Sequence, residues 1–137
     1  MNTNKVHTCF IKIAALLGAL GVILGAFAAH SLKAKVSSEA LEVFEVGVRY
    51  QMYHVFALAL TGILFIAGNN NRLKWAGRLF IAGIILFSGS LYALTFAMDA
   101  GNLALLKLGI ITPFGGVCFI AAWILLAASF SKRSEKV

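Results

Sequence analysis

Four long apolar stretches constrain this chain more than any other feature of its sequence. A bilayer is crossed by roughly 20 predominantly apolar residues of helix, and each stretch has about that length. Only short polar segments separate them, which leaves little room for a soluble domain. We therefore predict an all-α integral membrane four-helix bundle that occupies residues 1–137 as a single membrane domain. The predicted spans are residues 11–30, 50–67, 79–98 and 108–130.

The composition and the charge support a membrane protein rather than a nucleic-acid-binding protein. The chain is 61% hydrophobic and only 12% charged, whereas soluble proteins are about half apolar and a quarter charged. A net charge of +7 would suit nucleic acid if the basic residues shared one exposed face. Here they are sorted between the two sides of the membrane instead, so we expect no nucleic-acid partner.

This sorting of charge predicts an orientation. An even number of spans places both termini and the middle loop on one side. That side carries eight Lys or Arg residues against one glutamate, a net charge of +7, whereas the other carries four basic and four acidic residues and is neutral. The side richer in Lys and Arg is the cytoplasmic one, so we predict that both termini lie inside the cell (N-in and C-in).

The segment between the first two spans has the pattern of an amphipathic surface helix, at about residues 37–49. Three glutamates alternate with apolar residues that recur at helical spacing, and Ser37 or Ser38 is suited to cap its start. Glu45 and Arg49 are four residues apart, a spacing at which they can pair. The polar face is acidic, unlike that of most membrane-lying helices, so we expect this helix to cover the outer mouth of the bundle, with a bend at Gly47.

Polar residues of several spans lie at a similar depth below the outer boundary. At about 1.5 Å per residue, His54 lies roughly 8 Å inside, Tyr92 about 10 Å and Thr112 about 8 Å, while His30 ends the first span on the same side. An ionisable residue at membrane depth is a functional candidate by default. These observations predict an outer-half polar pocket. Its predicted ligand-binding residues are His30, Arg49, Tyr50, Gln51, His54, Tyr92 and Thr112.

Small residues predict where helices approach each other closely. Gly18, Gly21 and Gly25 lie on one face of the first span, and Gly89, Ala93 and Ala97 repeat every four residues in the third. Such rows are typical of helix contacts in lipid. We interpret them as packing surfaces, and they are also candidates for contacts in a possible homo-oligomer.

Four ordered blocks of the chain resemble a known family. The blocks are Gly-Ala-Phe-Ala-Ala-His30, Phe-Glu-Val-Gly-Val-Arg-Tyr-Gln-Met-Tyr-His54, Ser-Gly-Ser-Leu-Tyr92 and Ile-Thr-Pro-Phe-Gly-Gly116. They are similar to the signature blocks of the YgdD/YwdK-like family of small, uncharacterised membrane proteins. The resemblance extends from about Leu16 to Trp123 and implies a four-span protein of the bacterial inner (plasma) membrane, with no activity assigned. One departure is Ala28-Ala29 before His30, where the family pattern has a glycine.

Each polar residue also fits a structural role. The imidazoles of His30 and His54 are possible metal or haem ligands, but a hydrogen bond between helices is the simpler interpretation. Arg49 fits an anionic headgroup, or else an ion pair with Glu45 or Asp99 and a cation-π contact with a tyrosine. Thr112 and Pro113 together fit a helix kink better than a gate.

No motif of nucleophilic catalysis is present. Ser88 and Ser90 have no accompanying signature of a general base, and the chain contains no glycine-rich phosphate loop, CxxC pair or HExxH. Cys9 and Cys118 are too few for a disulfide framework, and we predict that both are free thiols. We therefore expect a protein that is not an enzyme; the sequence does not identify a cofactor.

The function that these features favour is binding in the membrane. We expect the outer pocket to take a small amphipathic ligand, such as a lipid headgroup or a quinone, or to dock a membrane partner; membrane lipids are the expected partners and a partner protein is unknown. One alternative is a small channel or proton-coupled transporter that works as an oligomer. The other is a haem or metal-binding redox membrane protein that uses His30 and His54.

Overall fold

The structure is a computed structural model that describes residues 3–68, 70–102 and 106–131. Within these residues it contains helices and no strand, and four helical rods are long and apolar enough to cross a membrane. The prediction of an all-α four-helix membrane bundle is confirmed. The rods cover Thr8–Leu32, Ser38–Ala67, Asn71–Asp99 and Lys107–Ala128.

The rods are built from five α-helices, together with two π-helical segments and one 3-10 turn. Helix α1 (Thr3–Phe27) continues into a π-helical segment, Ala28–Leu32, and α2 is Ser38–Ala67. The third rod consists of α3 (Asn71–Gly83), a second π-helical segment (Ile84–Ser88) and α4 (Gly89–Asp99). A 3-10 turn, Lys107–Ile110, precedes α5 (Thr112–Ala128). We refer to the two ends of the bundle as the Glu39 end and the Arg72 end, after residues near the start of α2 and of α3.

Helix α2 includes the amphipathic segment that the sequence predicts. The side chain of Ser37 caps the helix by accepting a hydrogen bond of 3.2 Å from the backbone nitrogen of Ala40, as expected for an N-cap serine. The helix then runs without interruption through Gly47 to Ala67. Its 30 residues span about 45 Å, whereas the apolar core of a bilayer is about 30 Å thick. The acidic segment is therefore the first part of α2 rather than a separate helix across the mouth.

Two apolar clusters hold the bundle together. The larger lies towards the Arg72 end and contains Leu58, Phe80 and Ala122, each almost completely buried. The smaller lies at the Glu39 end, where Phe44 of α2 packs against Ala28 and Leu32 of the π-helical segment after α1. Helix α2 contacts α1, α3 and α4, so it is the central helix of the structure.

The glycine row of α1 is a packing surface, as predicted. A methyl group on Gly21 would lie 2.5 Å from the sulfur of Met52, and side chains of α2 also cover Gly18 and Gly25. Because α2 occupies this row, it is not free for contacts between copies of the chain. In contrast, a methyl group on Gly89 of α4 would meet no atom within 4 Å.

Candidate functional site

Gln51 is the centre of a buried network of hydrogen bonds between helices. Its side chain is only 2% exposed. The amide nitrogen donates to the backbone carbonyl of Leu17 at 2.8 Å, and the amide oxygen accepts from the hydroxyl of Tyr92 at 2.8 Å. One glutamine thus connects α2 to α1 and to α4, which satisfies polar atoms that would otherwise be buried unpaired.

The ring of Tyr92 fits against α2 because residue 47 is glycine. A methyl group at Gly47 would lie 2.8 Å from Cε1 of Tyr92, which is closer than side chains tolerate. The ring also packs 4.8 Å from that of Phe44. Gly47 and Gln51 are one helical turn apart, so the first makes room for the tyrosine ring and the second binds its hydroxyl.

A second set of polar contacts joins α4 to the start of α5 and to α2. The hydroxyls of Ser90 and Thr112 lie 2.7 Å apart, and Ser90 also donates to the carbonyl of Phe87. Thr95 is completely buried, and its hydroxyl lies 3.2 Å from the carbonyl of Ala40 and 3.0 Å from that of Leu91. Pro113 lies in the first turn of α5, where its missing N–H breaks no helical bond.

His54 is almost completely buried and packs on an aromatic ring of α5. Its ring lies parallel to that of Phe119, with 3.4 Å between centroids and 6° between planes. Its Nδ1 lies 2.7 Å from the backbone carbonyl of Tyr50. A carbonyl oxygen only accepts hydrogen bonds, so Nδ1 carries the proton and Nε2 of the neutral ring has a free lone pair.

The remaining predicted site residues lie on the surface. His30 is exposed within the π-helical segment after α1, and Arg49 is exposed on α2. Arg49 makes no ion pair with Glu45 or Asp99, all three of which lie in the described ranges. The ring of Tyr50 is partly exposed and stacks on Phe87, with centroids 4.7 Å apart.

The structure joins the predicted site residues in small groups. Gln51 and Tyr92 bond to each other, Thr112 bonds to Ser90, and His54 packs beside Tyr50. In the part of the chain that the structure describes, no three His, Cys, Asp or Glu side chains are grouped to hold a metal ion. Cys9 is exposed and Cys118 half-buried, and both are free thiols, as predicted.

An open groove at the Glu39 end contains none of the predicted site residues. It lies between the first turns of α2 and helix α4 and has a volume of about 360 Å³. The sequence did contain a signal for it, because acidic and apolar residues of α2 recur on one face; what was missing was the position of α4 opposite that face. The groove is lined by Glu39, Glu42, Val43, Val46, Leu91 and Met98.

Comparison with known proteins identifies relatives that match most of the chain. A family model described as "Protein of unknown function (DUF423)" matches residues 24–116. The UPF0382 membrane protein YwdK of Bacillus subtilis is 42% identical over 126 residues, covering 90% of this chain and 96% of the relative. A UPF0382 membrane protein of Staphylococcus aureus is 46% identical over 118 residues (85% and 90%), and one of Haemophilus influenzae is 39% identical over 127 residues (91% and 96%). No solved structure matches the chain.

Proposed function

The chain belongs to the DUF423 family, and from this premise we propose that it is a non-enzymatic membrane protein that binds an amine-bearing phospholipid at the Glu39 end. Relatives of the chain are named UPF0382 membrane proteins. The groove between α2 and α4 carries the proposal. It combines an open volume with both charged and apolar walls.

The order of residues along the groove matches the order of groups in a phospholipid. Glu39 and Glu42 lie in the first two turns of α2, and Met98 lies at the end of α4. Val46 lies about 6 Å beyond Glu42 along α2, and Leu91 lies about 10 Å from Met98 along α4, both further into the bundle. Carboxylates at the mouth attract an ammonium group, and the deeper apolar walls fit the beginning of an acyl chain.

Arg49 supplies the complementary charge for the phosphate. It follows Val46 by three residues and so lies on the same side of α2, and because helical side chains tilt towards the start of the helix, its long side chain can extend back past Val46 to the headgroup. Neither Glu45 nor Asp99 forms an ion pair with its guanidinium. Arginine side chains bind phosphate oxygens in a bidentate manner. An ethanolamine headgroup carries both of the required charges.

The buried hydrogen bonds maintain the two walls of the groove. Gln51 and Tyr92 join α2 to α4, and Thr95 bonds to the carbonyl of Ala40 in the first turn of α2. In this proposal Gln51, Tyr92 and Thr112 position the helices and do not contact the lipid. His30 is exposed at the same end and is suited to hydrogen-bond a headgroup at the rim.

The proposed location is the outer leaflet of the bacterial inner membrane. Eight of the twelve basic residues belong to the side that carries both termini, which supports an N-in and C-in orientation by the positive-inside rule. The Glu39 end then faces outwards. An open cleft on a single small bundle is also compatible with a homo-oligomer in which neighbouring copies complete the lipid site.

The test is native mass spectrometry of the protein released from mixed-lipid nanodiscs. We expect the wild type to retain phosphatidylethanolamine in preference to phosphatidylglycerol, because only the former has an ammonium group. The double variant Glu39→Gln/Glu42→Gln should reduce this retention about tenfold. The control is Glu45→Gln, because Glu45 is an exposed acid of the same helix that does not line the groove. This variant should retain the lipid like the wild type. Equal retention by all three proteins, or a preference for phosphatidylglycerol, would refute the proposal; the same spectra count the subunits.

A further inference from the structure

The lone pair on His54 Nε2 has no partner within the described part of the protein. The ring is 6% exposed, and its one hydrogen bond is made by Nδ1. Among the described residues that are not surface-exposed, Ser88 Oγ alone is both fully enclosed and without a hydrogen bond. Nε2 is therefore not fully enclosed by the chain.

His54 lies about 8 Å deeper along α2 than Arg49, and so below the level proposed for the headgroup phosphate. His54 is about 24 Å from the start of α2 and about 20 Å from its end. Headgroup amines and glycerol hydroxyls are at the bilayer surface, and acyl chains carry no hydrogen-bond donor. An unpaired acceptor below the headgroups is unfavourable, and a lipid-soluble molecule that brings its own donor would pair it.

The His54 ring has aromatic neighbours that are partly exposed. Trp123 of α5 has its ring centroid 6.3 Å from that of His54, in an edge-to-face arrangement. Tyr50 and Tyr53 of α2 have centroids 6.1 Å apart, and all three rings are at least 39% exposed. We call these three residues the aromatic rim. Such rings offer faces and edges to another planar ring.

We propose that His54 Nε2 and the aromatic rim form a lateral binding site for the hydroquinone form of a lipid-soluble quinone. A hydroquinone hydroxyl donates to Nε2, and its ring packs against Trp123 and the tyrosines. The oxidised quinone has only acceptors at these positions, so it cannot make this bond. The site shares no residue with the groove at the Glu39 end and is independent of the function proposed for that groove.

The stack on Phe119 explains how the histidine is held ready for a ligand. Phe119 fixes the plane of the imidazole, and the carbonyl of Tyr50 fixes its tautomer. A preoriented acceptor loses little entropy when a ligand binds. The two contacts therefore favour binding as well as burial of the ring.

The experiment is calorimetric titration of the protein in nanodiscs, without oxygen, using a benzohydroquinone with a decyl chain and the corresponding benzoquinone. We expect the wild type to bind the hydroquinone about tenfold more tightly than the quinone, as one additional hydrogen bond predicts. His54→Phe keeps a ring to stack on Phe119 but removes the acceptor, and should bind both forms equally weakly. Trp123→Leu should weaken both forms alike, whereas Trp75→Leu, at the Arg72 end, should weaken neither.

A second measurement keeps the proposal testable should His54→Phe not fold. In wild-type protein with ¹⁵N-labelled histidine, the hydroquinone should shift the Nε2 resonance of one of the three histidines, and the quinone should not. No binding by the wild type, equal binding of the two forms, or an unchanged Nε2 resonance would each overturn the proposal. An Nε2 shift that follows dimer formation without any added ring compound would also overturn it and would assign His54 to contact with a second copy.

Discussion

The hydroxyl of Tyr92 donates a hydrogen bond of 2.8 Å to the amide oxygen of Gln51 and so joins α4 to α2. The same glutamine donates to the carbonyl of Leu17 in α1. Three of the helices are thereby connected through one buried amide. Polar residues that the sequence marks as candidates for binding a ligand thus also determine how the helices pack.

Removing the Tyr92 hydroxyl should weaken the bundle measurably. We expect Tyr92→Phe to lower the free energy of unfolding in detergent by about 1 kcal/mol, because hydrogen bonds between membrane helices contribute about that much. Tyr53→Phe, on the exposed face of α2, is the matched control and should change little. If Tyr92→Phe and Gln51→Leu destabilise in a strictly additive manner, the bond between them contributes nothing.

Adding a methyl group at Gly47 should displace the Tyr92 ring. We expect Gly47→Ala to destabilise the protein by about 1–3 kcal/mol. The new Cβ would lie 2.8 Å from the Tyr92 ring, so the ring or the helix has to shift. Gly89→Ala, in a helix with open space around it, should be neutral or stabilise by about 0.4–1 kcal/mol. Thermal unfolding of the two variants side by side would test this, and equal effects would contradict the close approach of Tyr92.

Two serines in the third rod should respond in opposite directions to the same change. Ser88 is completely buried with its hydroxyl unbonded, whereas the Ser90 hydroxyl bonds to Phe87 and Thr112. Ser88→Ala should stabilise the protein by about 1 kcal/mol because it removes a buried unsatisfied group. Ser90→Ala should destabilise it by a similar amount, since it leaves Thr112 unpaired. Destabilisation by Ser88→Ala in chemical unfolding would indicate that a water molecule pairs with this hydroxyl.

Truncating the ring beneath His54 should be among the most damaging changes in α5. Phe119 is buried against His54 and against Gly83 of α3, so Phe119→Ala should cost about 3–5 kcal/mol. The adjacent Ile120 faces outwards and is 63% exposed, and Ile120→Ala should cost far less in lipid. Comparable unfolding midpoints for the two variants would be inconsistent with the packing of α5.

Local features of the fold were predictable where they depend on neighbouring residues. Ser37 caps α2 as its residue type predicts, and the glycine row of α1 contacts a neighbouring helix. The Glu45–Arg49 spacing, in contrast, did not produce an ion pair among the described residues, because an exposed pair gains little over hydration. Gly47, where a bend was expected, lies within the continuous helix α2, and the ring of Tyr92 packs against it there.

Much of the candidate site could not be predicted because it depends on which helices are neighbours. The sequence placed Gln51, His54, Tyr92 and Thr112 at a similar depth, but it did not indicate that Gln51 would bond to α1 and α4, or that His54 would lie flat on Phe119. The groove residues of α4 gave no signal, because Leu91 and Met98 look like ordinary apolar positions until α2 lies opposite them.

The sequence by itself determined the all-helical class of the protein, the number of rods long and apolar enough to cross a membrane, and the uneven distribution of charge along the chain. These properties follow from hydropathy and charge summed along a segment, which require no knowledge of neighbouring segments. Only the tertiary structure decided which face of each helix is buried and which polar atoms remain unpaired. Rotation of a helix about its axis is set by close packing against its neighbours, and that packing left His54 Nε2 without a hydrogen bond among the described residues while it brought the hydroxyl of Thr95 to two carbonyl acceptors.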